Sequence, residues 1–315
     1  MMFLEMGLVS AAIGFVLTNA AISLVTVAFW PLVRSSSHRA RSLFFMRMFP
    51  TLGAVSAVIG LVLPAFWSFE PRGTSERAGP ALLVFVALTG ILVAFGLRRT
   101  LSRWLETRRL ERLWTAAGEL RAEAGIPVRT YRVPSERPFA ALVGLVRPRL
   151  FLSGGFLASL SEGERQAVLD HEKGHLRSLD NLKRVVMSLA PDWLAFFPAG
   201  TEIEKAWAAA AEDEADDEAA GGDPTRALDL AGALLKSARL PAIRCAAASN
   251  FCDHATIAHR VERLLDDANR QGERLRPSTL RWVSIAVVVA AAALFCGPAA
   301  RIVYATTEAA IRLLQ

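Results

Sequence analysis

The stretch SEGERQAVLDHEKGHLRSLDN, residues 161–181, decides how this chain reads. Its first four residues, Ser161 to Glu164, have the spacing of a capping box and predict a helix start. Ten residues on, His171 and His175 stand four apart, so on that helix they share a face and can hold one metal ion. Glu172 between them is placed to take a proton from an attacking water. The chain has only five histidines in 315 residues, which makes the pattern hard to reach by accident. The bland alternative is a surface helix with two satisfied histidines. Gly174 costs the helix about 1 kcal/mol relative to alanine. Room for a second backbone beside the metal would explain it, and tolerated drift is the competing reading.

Two histidines do not complete a catalytic metal site, which needs a third protein ligand. The acidic run Glu212-Asp213-Glu214-Ala215-Asp216-Asp217 lies in an Ala- and Glu-rich stretch, 206–220, that predicts a helix. Glu212 and Asp216 share one face, as a ligand and a carboxylate that accepts an imidazole N–H would. Asp213/Asp217 and Glu214/Glu218 have the same spacing, and such runs are often only a solvated face. Glu212 is preferred because it alone yields a Glu-x-x-Ala-Asp pattern. Asp180 falls about 140° around an uninterrupted helix from His175, so it can support the site only if the helix ends or bends before it.

The chain is 53% hydrophobic with a mean hydropathy of +0.33, too apolar for an ordinary water-soluble domain of this length. Four runs reach bilayer length: about 7–33, 49–69, 78–97 and 282–300. The first is too long for a removed leader and lacks its basic start. Arginines cluster after the first run (Arg34, Arg39, Arg41, Arg47), after the third (Arg98 to Arg112) and before the fourth (Arg270 to Arg281). The positive-inside rule then puts the N-terminus outside and residues 98–281 in the cytoplasm. The predicted divisions are 1–97 with three spans, 98–281 as one folded domain, and 282–315 with a fourth span and a short outer tail. The net charge of +6 comes mostly from arginine. It reads as the codon bias of a GC-rich genome and gives no case for nucleic-acid binding. Cys245, Cys252 and Cys296 are too few and too scattered for a disulfide scaffold. With His254 and His259 they match no common zinc module.

Within 98–281 the reading is α+β. A helix from Arg98 to about Ala124 is followed by short strands at 128–133, 140–143 and 149–153, then helices. Ala140, Ala141, Leu142 and Val143 could be an edge against which an extended peptide pairs, or a core strand. The apolar stretch 185–200, broken by Pro191-Asp192, could lie against the membrane or form a core helix. The helices at 223–240 and 256–268 read as packing helices, with Arg260 and Arg263 as a solvated face.

These residues resemble the BlaR/MecR-type membrane metallopeptidases, relatives of the thermolysin-like zincins. The resemblance rests on residues 138–150, on 165–182 with the Asp180-Asn181 tail, and on Trp207 to Asp217. It implies a mainly α membrane protein with four transmembrane helices and a cytoplasmic α+β zincin-like domain containing a small sheet. It implies one zinc ion per chain on His171, His175 and Glu212, with Glu172 as the catalytic base and Asp216 orienting a histidine. The sequence departs from the family where Cys is frequent at position 215, here Ala215. It departs also after residue 300, where only Arg301 to Gln315 follow, so a role in sensing β-lactams is not expected.

The expected activity is a regulatory endopeptidase at the cytoplasmic face of a bacterial inner membrane. Its substrate would be a specific protein, a transcriptional repressor or the chain itself. The lipid bilayer is the other expected partner, and a homodimer stays open. Two other classes compete: a housekeeping membrane protease of the HtpX type, and a non-proteolytic scaffold that kept a metal site.

Overall fold

The computed structural model describes residues 2–35, 39–70, 79–121, 123, 126–145, 147–238, 249–250, 254–269 and 305. They divide into two compact units, one drawing on residues 2–98 and 189–205, the other on 99–188 and 206–269.

The first unit is built on long apolar helices. Helix α1 is Met2–Val33, and α2 (Ala40–Ala57) continues through one π-helical turn (Val58–Val62) into α3 (Leu63–Phe69). Helix α4, Pro80–Ala117, begins in this unit and ends in the other. Three stretches, Phe3–Val33, Ala40–Phe69 and Leu82–Ala117, are long and apolar enough to cross a membrane. Leu4, Leu8, Leu17 and Leu24 of α1 are all more than half exposed, as side chains facing lipid would be. The fourth apolar run, 282–300, lies outside the described residues.

The segment Leu189–Lys205 belongs to this first unit. It is neither a single core helix nor a continuous apolar one. Helix α7 (Asp180–Leu189) stops before Pro191, a 3-10 turn covers Trp193–Phe196, and α8 (Pro198–Ala220) follows. Polar ties hold it. Arg47, fully buried on α2, donates to Asp192 at 2.7 Å and to Glu204 at 2.9 Å. Thr51 donates to the same Asp192 oxygen at 2.9 Å, and the other Asp192 oxygen accepts the Ala195 N–H at 3.1 Å. Asn19 of α1 donates to the Pro191 carbonyl at 3.2 Å and accepts the Trp193 N–H at 3.1 Å. At Gly96 a Cβ would meet the Leu189 carbonyl oxygen at 2.4 Å, so the backbones touch there only because residue 96 has no side chain.

The second unit carries a five-stranded sheet in the order β1-β2-β4-β3-β5. The strands are β1 (Glu119–Arg121), β2 (Arg129–Val133), β3 (Ala140–Val143), β4 (Arg149–Ser153) and β5 (Ser249–Asn250). Strands β2 and β4 run parallel, and the other pairs are antiparallel. The expected helix to Ala124 is corrected: α4 ends at Ala117, Gly118 closes it by bonding to the Trp114 carbonyl at 2.9 Å, and β1 follows. Alternation sends Ala140, Leu142, Leu150 and Leu152 into a core shared with α5 (Gly154–Ser159), α6 (Glu162–Ser178), α9 (Pro224–Ser237) and α10 (His254–Asn269). Ala141, Val143, Phe151 and Tyr131 go to the other face, where they meet Trp114 and Phe139.

The peptide-pairing edge expected at Ala140, Ala141, Leu142 and Val143 is also corrected. All four are buried, β4 lines one side of the strand, and β5 pairs with Ala141 and Leu142 on the other. A strand covered on both faces and both sides is core.

The buried Arg47–Asp192 pair generates a prediction. Removing one partner leaves an uncompensated buried charge, so Arg47→Ala should destabilise the folded protein by about 3–5 kcal/mol. The double variant Arg47→Met/Asp192→Leu should recover much of that loss in thermal unfolding in detergent.

Candidate metal centre

The centre is assembled where α6 and α8 lie side by side. The capping box that starts α6 is formed: Ser161 accepts the Glu164 N–H at 3.2 Å and the Glu164 carboxylate accepts the Ser161 N–H at 2.6 Å. A cap of this kind is worth about 1 kcal/mol. It fixes the register that turns His171 and His175 to one side. Gly174 faces α8 between them. A Cβ there would lie 3.2 Å from Ala215 Cα and 3.3 Å from its Cβ, so the small residues at 174 and 215 set how near the two helices come.

That approach delivers Glu212. His171 Nε2 and His175 Nε2 stand 3.1 Å apart, and each is 3.5 Å from an oxygen of the Glu212 carboxylate. Donor atoms of the three residues all lie within 4.8 Å of one another, and all three side chains are buried. Each imidazole is gripped on its far nitrogen. His171 Nδ1 is 2.9 Å from Asp216, and His175 Nδ1 is 2.8 Å from Asp180. With each Nδ1 turned toward a carboxylate, both Nε2 atoms face each other and Glu212, the orientation in which a metal ion could take both imidazoles. Without metal, the His175 proton, held up to about pH 10, balances the Glu212 charge at this convergence, and a metal ion there would take that proton's place. The donor set of two imidazoles and one carboxylate fits zinc.

Asp180 is reached by a break that helical arithmetic alone does not supply. Helix α6 ends at Ser178, Leu179 takes a left-handed conformation (φ 55°), and Asp180 opens α7. The turn swings Asp180 back to His175, where Lys183 donates to its other oxygen at 3.2 Å. The next residue, Asn181, donates to the Leu142 carbonyl at 2.8 Å and the Gly144 carbonyl at 3.2 Å, tying β3 to the same turn.

Arg260 and Arg263 correct the sequence reading most. Arg260 is 1% exposed, not solvated; it donates to both Asp216 oxygens, at 2.8 and 2.6 Å, and to Glu212 at 3.0 Å. Arg263 is largely covered too and binds Asp213, Asp216 and Asp217. A signal was present in the sequence. Arg260 lies on the same helical stripe as the buried Ile257, Val261 and Leu264, and an arginine on an apolar face needs a carboxylate. Lys183, one turn after Asp180, is a third cation that the sequence reading did not assign to the centre. Tyr131 lies in the cluster on the sheet face that excludes α6. Cys245 and Cys252 lie outside the described residues.

Burial and charge set the titration of these groups. Burial favours neutral Glu172, and despite the opposing pull of the two histidines its carboxyl is held above the ordinary range. Neither Glu172 oxygen has a hydrogen-bond partner among the described residues. Burial would lower the His175 pKa, but Glu212 and Asp180 outweigh it and raise it to about 10. Burial would likewise raise Glu212 and Asp216; His175 and Arg260 hold Glu212 well below its usual range, while Arg260 and His171 hold Asp216 at about 2.

Residues 105–239 match the model of Peptidase family M48. The matched segment is less than half of the chain and contains His171, Glu172, His175, Asp180, Glu212 and Asp216, but ends before Arg260. No curated protein matches the chain. With the three apolar helices, the M48 match supports a membrane-bound metallopeptidase.

Two predictions follow from the packing and the charges. Gly174→Leu should drive α8 from α6 and strip the protein of bound metal, measured as metal per chain by elemental analysis, while Gly174→Ala should retain most of it. In metal-free protein, the His175 contribution to stability is complete below the ordinary value of 6.5 and is lost as pH rises through about 10. The Asp216 contribution is present above 3.8 and lost as pH falls toward about 2. Melting of chelator-treated protein across pH should therefore show both losses, and added zinc should remove the alkaline one.

Proposed function

We propose that this chain is an integral-membrane zinc endopeptidase that cuts a specific protein substrate at the cytoplasmic face of a bacterial inner membrane. The observation that carries this reading is the buried convergence of His171, His175 and Glu212 beside a buried Glu172 that has no hydrogen-bond partner among the described residues. One zinc ion per chain would be held by His171, His175 and Glu212. Zinc supplies a Lewis acid for the water and the peptide carbonyl. Glu172 takes the proton of the attacking water and passes it to the leaving amine. A carboxylate raised above its usual range by burial is better matched to that transfer than an ordinary one. Asp216 and Asp180 keep His171 and His175 in the tautomer that presents Nε2.

The M48 match supports the peptidase class, and the three apolar helices support the membrane setting. The regulatory role and the fourth span rest on the BlaR/MecR-type resemblance and the arginine pattern.

His171→Ala and Glu212→Ala should each lose zinc. Glu172→Gln should keep zinc and abolish proteolysis, and full activity in that variant would sink the mechanism. Proteomics of cells carrying Glu172→Gln should reveal one newly stabilised partner. Accumulation of many misfolded membrane proteins would instead favour a quality-control protease, and no change in any protein would favour a scaffold.

A further inference from the structure

We infer that Arg260 is a positioning residue of the metal centre, and that helix α10, beyond the matched peptidase segment, is an integral part of that centre. The inference rests on the zinc reading above.

One guanidinium makes three bonds in a buried place. Its Nε and Nη2 take the two oxygens of Asp216 at 2.8 and 2.6 Å. Its Nη1 takes Glu212 Oε2 at 3.0 Å. Asp216 Oδ1 is in turn 2.9 Å from His171 Nδ1. Arg260 therefore reaches one candidate ligand directly and a second through a single carboxylate. A planar fork bonded to both oxygens fixes the plane of the Asp216 carboxylate, and with it the ring of His171. The third donor takes Glu212 Oε2, while Oε1 lies 3.5 Å from His175 Nε2. A lysine ammonium can replace the charge but not this three-way geometry.

Anchoring α10 does not account for the arginine. Ile257, Val261 and Leu264 already seat that helix in the main core. A buried ion pair adds little stability beyond an apolar side chain of the same size. What the arginine supplies is a fixed positive charge between two carboxylates that would otherwise repel each other and swing apart. The other imidazole has a looser version of the same device: His175, Asp180 and Lys183 form a chain at 2.8 and 3.2 Å, with Lys183 partly exposed.

The test uses the full chain in detergent with two readouts besides activity: zinc affinity by chelator competition, and the visible absorption of the cobalt(II)-substituted protein. Arg260→Met should weaken zinc binding by about 10–100-fold and shift the cobalt spectrum. Arg260→Lys should recover part of the affinity but not the spectrum. Leu264→Ala, which loosens α10 without touching a carboxylate, should lower the melting temperature and leave both metal readouts unchanged. Wild-type zinc affinity and spectrum in Arg260→Met would overturn the inference. So would an equal loss of zinc affinity in Leu264→Ala, which would make the role one of folding alone. Should Arg260→Met fail to fold, the lysine variant decides: a wild-type cobalt spectrum overturns the inference and a shifted one supports it. If the wild-type chain itself takes up no zinc, the metal reading fails, and this inference with it.

Discussion

The centre depends on balancing charge where water cannot help. Glu172, Glu212, Asp180 and Asp216 surround two imidazoles, and every one of these side chains is buried or nearly so. Carboxylates packed this closely in a low-dielectric space repel strongly unless cations separate them. Arg260 lies between Glu212 and Asp216, Lys183 holds Asp180, and a metal ion would sit among the Nε2 atoms and Glu212. At Glu172 burial outweighs the pull of the two histidines and Arg260, and holds the carboxyl above the usual range. The arrangement thus separates carboxylates that must stay ionised from one whose task is to gain and lose a proton.

The closeness of α6 and α8 follows from the same constraint. A carboxylate on one helix reaches imidazoles on another only if the helices pack tightly, and here a Cβ added at Gly174 would already lie 3.2 Å from Ala215 Cα. The glycine weakens its own helix and brings in the third donor. The helix survives because its start is capped and its apolar residues Ala167, Val168 and Leu169 join the main core.

Much of this was legible because it is local. The capping box, the histidine spacing and the Glu-x-x-Ala-Asp register are each set within one or two helical turns. Strands at 140–143 and 149–153 appear as read, since short apolar runs bounded by glycine and proline leave little choice. What was not legible depends on partners distant in sequence. Strand β3 looked available as an edge until β5, more than a hundred residues later, paired with Ala141 and Leu142. The 189–205 segment has no strong period of its own, and its path is set by Asn19 and by Arg47 with Asp192.

The remaining misreadings fall where the chain breaks a local rule. Leu179 adopts a left-handed conformation that costs a bulky side chain about 1–2 kcal/mol, and periodicity cannot foresee it. Arg260 breaks the apolar stripe of its helix. Both departures lead to the same imidazoles, since one brings Asp180 to His175 and the other locks Asp216 against His171. A local rule broken without benefit would simply destabilise the protein, so two violations that converge on one centre point to what they are for. The informative question for such a sequence is which buried group needs each offending residue. For Leu179 and Arg260 the answer is an imidazole that must keep its Nε2 lone pair turned inward.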